Sequence, residues 1–155
     1  MKNCFASSRR AAWMSSCDPM TEPTVGSRAA STATCEAAHI AAAIDSVAWA
    51  DEVVVVDAGS RDGTTDIARA KGARVVERAW TGYVDQKNYA ASLARHDWIF
   101  SLDADERVPE ALAAEIKALL ATEPSVHGFR GPRVTFHLGR WIRTTDFYPD
   151  FQTRL

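Results

Sequence analysis

Three acidic residues lie close together where an apolar stretch of the chain ends. Asp103, Asp105 and Glu106 follow the segment WIFSL. Carboxylates two residues apart at the end of a strand can approach one ligand, and Mg²⁺ or Mn²⁺ combines such oxygens with phosphate and water. A solvated acidic turn before a helix would have the same sequence, because the helix dipole favours Glu106 there. The residues alone leave both interpretations open.

A second acidic loop follows the apolar run VVVV. Asp57 begins the sequence DAGSRDGT, in which Gly59 and Gly63 allow a tight turn and close approach of the backbone to a ligand. The Asp57 carboxylate can accept hydrogen bonds from a nucleobase or a ribose. The alternative is an ordinary strand-to-helix loop in which Ser60 or Asp62 caps the next helix.

Other residues of interest are a lysine between these loops and an aromatic cluster after them. Lys87 could meet a diphosphate as a point charge, although a solvated helix lysine is the commoner case. The cluster suits either a sugar site or a packed edge equally. It consists of Arg140, Trp141, Arg143, Phe147, Tyr148, Asp150 and Phe151.

The elements that position these residues follow from the apolar pattern. Runs of β-branched residues predict strands at about residues 53–57, 74–78 and 97–102, with amphipathic helices before, between and after them. This alternation predicts an α/β fold of three layers, α/β/α, with a mainly parallel sheet. Ligands of such sheets bind at the carboxyl ends of the strands, where both acidic loops fall. The later segment GFRGPRVTFHLGRWI predicts one extended strand.

Composition and the N-terminal segment limit the classes of function. A net charge of −2 is atypical of a nucleic-acid-binding protein, and no apolar run is long enough to cross a bilayer. Residues 1–35 show no periodic apolar pattern. We therefore expect an irregular segment over residues 1–35 and the folded domain over residues 36–155.

Taken together and in order, the motifs VVVVDAGSRDGTTD, QKNYA, SLDADERV, LGRWIR and FYPDFQTRL resemble the family 2 glycosyltransferases of GT-A fold. More narrowly, they look like the branch that adds sugar to the lipopolysaccharide inner core. The resemblance runs from about Glu36 to Leu155. It is highly specific for the family and less specific for donor and acceptor.

By this resemblance, Asp57 contacts the uracil of a UDP-sugar and Lys87 lies near the nucleotide. Asp103 approaches the ribose and the metal, and Asp105 holds the Mg²⁺ or Mn²⁺ that bridges the diphosphate. The metal stabilises the UDP leaving group while a carboxylate deprotonates the acceptor hydroxyl, so a single displacement inverts the anomeric carbon. Asp150 is the best match for that catalytic base. Pro149 replaces the first acid of the family's motif, which leaves the assignment of the base open.

The resemblance thus implies an inverting transferase of the bacterial cell envelope that moves sugar from a UDP-sugar to a lipopolysaccharide-core or similar glycan. It implies a cytoplasmic location, with peripheral association at the inner membrane as a further expectation, and no nucleic-acid partner. A haloacid-dehalogenase-type phosphatase would need Lys and paired Asp motifs downstream. A nucleotidyltransferase would open with a Gly-rich basic loop. Too little chain follows Asp105 to hold the phosphatase motifs, and a Gly-rich basic loop is not present.

The remaining alternative is an inactive fragment or nucleotide-binding remnant of the family. The family's first strand ends in a T-x-N-E-type loop, which only Thr34, Cys35 and Glu36 echo, and no apolar strand precedes them. The part that completes the acceptor side is also absent. We therefore expect a C-terminally truncated chain whose sheet lacks its first strand, with unpaired backbone groups and poor catalysis.

Overall fold

The computed structural model describes residues 5–7, 10–16, 34–144 and 148–155. Its strands are β1 (Phe5–Ser7), β2 (Arg10–Ser16), β3 (Glu52–Asp57), β4 (Arg74–Glu77), β5 (Trp98–Ser101), β6 (Arg130–Arg133), β7 (Thr135–His137), β8 (Arg140–Ile142) and β9 (Asp150–Thr153). Its helices are α1 (Thr34–Ser46), α2 (Thr64–Ala70), α3 (Tyr83–Leu93) and α4 (Glu110–Ala121). The strands predicted near residues 53, 74 and 97 are β3, β4 and β5, so these predictions are confirmed.

The main sheet contains five strands in the order β4-β3-β1-β2-β5, with a further direct pairing between β3 and β2. Strand β3 pairs in parallel with β4 and with β2, and β2 pairs in parallel with β5 through Arg10 and Trp98. Strand β1 is antiparallel to β2 and β3. Four strands therefore run in one direction, as an α/β fold requires.

The prediction of a sheet without its first strand is wrong. Strand β2 pairs in parallel with β3 from Ala11–Glu52 to Ser16–Asp57. The backbone groups of β3 that were expected to be unpaired on this side therefore have hydrogen-bond partners. The sequence RAAWMSS contains no β-branched residue, so it lacks the composition by which buried strands are usually found. The irregular structure expected over residues 1–35 is likewise wrong for β1 and β2. The domain boundary at residue 36 stays a prediction.

Helices pack against both faces of β3. Val55 belongs to a core cluster with buried residues of α1, α2 and α4, including Ile40, Ala68 and Ile116. Its neighbours Val54 and Val56 belong to a second cluster with Ala90 of α3. Successive side chains of a strand point to opposite faces, which explains why the fully buried valines divide in this way. None of the helices in the described ranges is long and apolar enough to span a membrane.

The last part of the chain forms two small antiparallel sheets in place of the single predicted strand. Strand β6 pairs with β9, and β7 pairs with β8. Leu138 and Gly139 connect β7 to β8 with φ values of 49° and 76°. These left-handed values suit the two-residue turns of hairpins, which explains why the predicted strand is broken here. The Arg154 carbonyl accepts a hydrogen bond of 2.6 Å from Ser101 N, so the chain returns to the edge of the main sheet at β5.

Candidate functional site

Both acidic loops lie at one edge of the main sheet. Asp57 is the last residue of β3, and Asp103 follows β5 by two residues. Because β3 and β5 both run parallel to β2, their carboxyl ends point the same way. With β2 between them, the two strands are separated by about 10 Å. The predicted convergence of the two loops is therefore confirmed, whereas the roles of their residues stay predictions.

The Asp57 loop is stabilised by hydrogen bonds from residues within the loop itself. The Asp57 carboxylate is 1% exposed, and its Oδ2 accepts hydrogen bonds of 2.8 Å from both Gly59 N and Ser60 N. The Ser60 hydroxyl donates to Oδ1 at 2.6 Å. Gly59 has a φ of 102°, a conformation that glycine adopts readily and other residues avoid. Asp57 therefore fixes the loop as an Asx-type turn.

The Asp103 loop is held by residues from elsewhere in the chain. Asp103 is 5% exposed, and its Oδ2 accepts a hydrogen bond of 3.2 Å from Arg154 Nη2. The same Nη2 donates to Glu106 Oε1 at 2.5 Å, and Asp103 N donates to Glu106 Oε2 at 3.0 Å. Asp103 Oδ1 is buried and accepts no hydrogen bond within the described ranges. A buried carboxylate oxygen in this position requires an explanation, such as a water molecule or an ion.

Arg133 connects this loop to the predicted base, Asp150. Its Nη1 lies 3.5 Å from Glu106 Oε1, and its Nη2 lies 2.7 Å from Asp150 Oδ2. Gln152 Nε2 donates to Asp150 Oδ1 at 2.6 Å. The Gln152 hydrogen bond, followed by the hydrogen bond and charge of Arg133, holds the pKa of Asp150 below its ordinary value.

Lys87 is half-buried on α3 and faces the same charges. Burial lowers the pKa of its ammonium group, and the negative charges of Asp103 and Glu106 oppose that effect. Burial raises the pKa of the Glu106 carboxyl group, and the positive charge of Arg154 opposes that effect. The structure therefore brings Lys87, Asp103 and Asp150 into one charged cluster through Glu106 and its partners.

The other predicted site residues are Asp57, Asp105 and the aromatic cluster. The Asp57 carboxylate makes its hydrogen bonds within its own loop. Asp105 is exposed beside Asp103. Of the predicted aromatic cluster, Phe147 lies outside the described residues, and Trp141 stands exposed on the β7–β8 hairpin.

The donor set at Asp103 and Asp105 fits a hard divalent cation. Asp103 Oδ1 accepts no hydrogen bond from the residues that the structure describes, and the exposed Asp105 can supply a second carboxylate oxygen. In the described part of the chain, no group of three or more His, Cys, Asp or Glu side chains is placed to hold a metal. A cation here would therefore depend on phosphate and water for its other ligands, as Mg²⁺ commonly does.

Sequence reasoning missed Arg133 and Arg154 and gave Glu106 only a place near a helix end. Three acids within four residues indicate that a cation must lie nearby, because close carboxylates repel. That signal does not identify which of the many arginines supplies the charge. Arg154 lies 51 positions after Asp103, and no short spacing rule connects them.

The family is decided by a match over most of the chain. Residues 32–154 match Glycosyl transferase family 2. The chain belongs to this family. A GT-A α/β fold is therefore expected of it, in agreement with the strand order at the site.

Several curated relatives carry related descriptions. An uncharacterized glycosyltransferase of Rickettsia bellii (strain RML369-C) is 47% identical over 57% of this chain and 30% of its own length. One of Rickettsia felis (strain ATCC VR-1525 / URRWXCal2) is 49% identical over 56% of this chain and 31% of its own. The lipopolysaccharide core biosynthesis glycosyltransferase LpsC of Rhizobium meliloti (strain 1021) is 33% identical over 67% of this chain and 40% of its own. The matched region thus spans well under half of these relatives, and no solved structure matches the chain.

Proposed function

We propose that this chain is the nucleotide-sugar-binding part of an inverting glycosyltransferase, which moves a sugar from a UDP-sugar to a lipopolysaccharide-core or similar glycan. The observation that carries the proposal is the convergence of two acidic loops at the carboxyl edge of one α/β sheet. Family membership and the description of the LpsC relative support the reaction class and the type of acceptor. The complete domain would be the three-layer α/β/α form of the fold.

Asp57 is suited to recognise the base of the donor. An ionised carboxylate has about four acceptor positions, and Asp57 uses three of them on Gly59 and Ser60. One position remains for an N–H group such as that of uracil. Because the other three hydrogen bonds fix the loop, little ordering is needed when the nucleotide binds.

Asp103 and Asp105 are suited to hold Mg²⁺ or Mn²⁺ against the diphosphate. When bound, such an ion neutralises charge that develops on the UDP leaving group. The half-buried Lys87 adds a positive charge on the same side of the sheet, near Asp103. Arg154 holds Asp103 by its Oδ2 and thereby leaves Oδ1 for the ligand.

Asp150 is suited to accept the proton of the attacking hydroxyl group. The acceptor oxygen forms its bond to the anomeric carbon as the bond from that carbon to the UDP oxygen breaks, and the proton passes to Asp150. Arg133 contacts Asp150 Oδ2 through two nitrogens, Nε at 2.8 Å and Nη2 at 2.7 Å, and Gln152 donates to Oδ1, so both carboxylate oxygens are held in place. The lowered pKa keeps the group ionised at neutral pH and also makes it a weaker base than an unpaired aspartate.

The proposed location is the cytoplasm, with peripheral association at the membrane face where such glycolipid acceptors are built. The LpsC relative, which is described as a glycosyltransferase of lipopolysaccharide core biosynthesis, supports this location.

The test is calorimetric titration of the chain with UDP in Mn²⁺ and in EDTA. We expect binding to be at least about tenfold tighter with Mn²⁺, since a Lewis-acid metal contributes on the order of a few kcal/mol. Asp105→Ala should lose that gain. Asp51→Ala, which removes an exposed acid at the opposite end of β3, should keep it.

Two results would contradict the proposal in different ways. Equal affinity in Mn²⁺ and EDTA would exclude the metal role of Asp103 and Asp105. No UDP binding under either condition would exclude the nucleotide site itself. Binding of UDP without sugar transfer to a lipopolysaccharide-core acceptor would instead favour the nucleotide-binding remnant.

A further inference from the structure

A projecting hairpin near the site exposes large apolar side chains. We refer to residues 135–142, which comprise β7, its turn and β8, as the aromatic hairpin. Phe136 is 58% exposed, Leu138 88% and Trp141 62%. Phe136 and Trp141 are cross-strand partners, and their ring centroids lie 4.9 Å apart. Such an aromatic pair is stable on a small hairpin, yet it leaves most of both rings open to a ligand.

The segment that carries the hairpin is strongly basic. Residues 125–145 contain no Asp or Glu and four arginines, whereas the whole chain has a net charge of −2. Arg140 and Arg143 are exposed, and Arg133 lies earlier in the same segment. This separation of charge favours an anionic partner for the hairpin.

The two faces of the hairpin differ in chemistry. The pairing of Phe136 with Trp141 places both rings on one face, and His137 and Arg140 pair on the opposite face. Strand β8 ends at Ile142, and its two-residue alternation, continued by one position, puts the exposed Arg143 on the same side as Trp141. One face therefore combines two rings with a guanidinium group.

The hairpin is continuous with the proposed site. Arg133 ends β6 and contacts both Glu106 and Asp150, and β7 begins two residues later at Thr135. Two residues of extended chain span at most about 7 Å. The hairpin therefore begins close to the residue that contacts Asp150, so a ligand bound to the hairpin would lie near that part of the site.

We propose that the aromatic face of the hairpin, formed by Phe136, Trp141 and Arg143, binds an anionic saccharide, the part of the acceptor next to the sugar that is modified. The rings would pack on the apolar C–H face of a sugar. Arg143 would form a bidentate pair, with two parallel hydrogen bonds, to a carboxylate or phosphate. This inference rests on the proposed function and adds the charge of the acceptor to it. Continuity with Asp150 favours a saccharide over a bilayer surface.

The experiment uses two tetrasaccharides of equal length, the anionic tetragalacturonate and the neutral maltotetraose. Each is titrated into the chain at low ionic strength without UDP, and binding is measured by calorimetry. We expect tetragalacturonate to bind at least tenfold more tightly than maltotetraose. Trp141→Ala should weaken binding of both sugars.

Two arginine variants are matched controls for each other. Arg143→Gln should weaken tetragalacturonate binding about tenfold, the effect of losing one charge-assisted hydrogen bond. Arg140→Gln removes the same charge from the same hairpin but from the other face, and we expect less than a threefold loss. Arg143→Lys should keep the charge and lose the bidentate geometry, with a loss between these values.

Several outcomes would overturn the inference. Equal affinity for the two sugars would exclude charge recognition. Equal losses in the Arg140 and Arg143 variants would show a general attraction to anions. Sedimentation with phosphatidylglycerol vesicles, lost in both variants and without saccharide binding, would assign the hairpin to a bilayer. UDP titration of the same variants keeps the two proposals apart, because donor binding should be unchanged in all of them.

Discussion

The two acidic loops occupy equivalent places in the sheet and are stabilised in opposite ways. The Asp57 carboxylate is bound by groups two and three residues away, Gly59 and Ser60. The Asp103 loop depends on Arg154, which lies 51 positions from Asp103 and 48 from Glu106. One loop is thus complete within a single turn, whereas the other is assembled from distant parts of the chain.

The difference shows how one end of the sheet can combine a loop that is rigid by itself with a loop whose charges are balanced by a distant residue. A carboxylate that is already hydrogen-bonded by its own loop holds its shape whether or not a ligand is present. Asp103 has one oxygen paired with Arg154 and one buried oxygen that accepts no hydrogen bond from the described residues, so its loop would become more stable when a cation binds. We therefore expect the Asp57 loop to provide shape and the Asp103 loop to provide ligand-dependent stability.

Removing Arg154 should have the largest effect on this comparison. Arg154→Ala leaves the Asp103 and Glu106 side chains, 6% and 17% exposed, without their shared cation. Loss of one partner from a buried ion pair costs about 3 kcal/mol, and we expect the free energy of unfolding in urea to fall by that amount. Arg69→Ala, which breaks ion pairs of a half-exposed arginine on α2, should cost less than about 1 kcal/mol. Similar losses in the two variants would show that the Asp103 loop does not depend on Arg154.

Replacing each aspartate with asparagine should affect the free energy of unfolding differently in the two loops. Asp57→Asn places an amide where three hydrogen-bond donors converge, and we expect a loss of about 2 kcal/mol in unfolding free energy. Asp103→Asn relieves repulsion with Glu106 and leaves the Arg154–Glu106 pair intact, so it should cost less than about 1 kcal/mol. Chemical denaturation of both variants without metal is the measurement. The reverse order of stability would refute the division between a rigid and a ligand-dependent loop.

A smaller test concerns the hydroxyl that completes the Asp57 turn. Ser60→Ala removes one hydrogen bond of 2.6 Å to Asp57 Oδ1, and we expect a loss of about 1 kcal/mol. Ser92→Ala on α3 removes an exposed hydroxyl that donates to the Tyr89 carbonyl, so a change within about 0.5 kcal/mol is expected. Thermal unfolding of the two variants side by side distinguishes these outcomes.

The smallest expected effect concerns the titration of Asp150. Because its pKa is lowered in the fold, its contribution to stability is present above the unfolded value of about 3.9 and is lost as pH falls through the folded pKa. Gln152→Ala and Arg133→Gln each remove a cause of the shift, so each should raise the pKa. Carboxyl-carbon NMR titration of Asp150 measures this directly. A pKa that stays the same in both variants would contradict the contacts that join Asp150 to the charged cluster.

The sequence was sufficient to predict the elements whose structure is determined by a local pattern of residues. The valines of β3 and the helical spacing of α4 predicted their elements, and the strand ends then brought Asp57 and Asp103 to one edge. It failed at β2, because alanine, tryptophan and methionine do not distinguish a central strand from an irregular segment. The aromatic hairpin was missed because Leu138 and Gly139 form a turn whose first residue is not a usual turn former.

The charged cluster lay beyond sequence reasoning for a different reason. The contacts of Arg154 with Asp103 and of Arg133 with Glu106 join segments that are distant along the chain. Nothing in the spacing of FQTRL indicates that its arginine faces an acidic turn. Such pairs follow only from the way β9 returns beside β6 and reaches β5.

The distance of Arg154 from its partners also has a consequence during synthesis on the ribosome. At about 5 to 20 residues per second, the 51 positions between Asp103 and Arg154 take roughly 3 to 10 s to translate. Through that interval the Asp57 turn can already form, while Asp103 and Glu106 have no arginine to share. A nascent chain would thus acquire the shape of its Asp57 loop several seconds before the charges of its Asp103 loop are balanced.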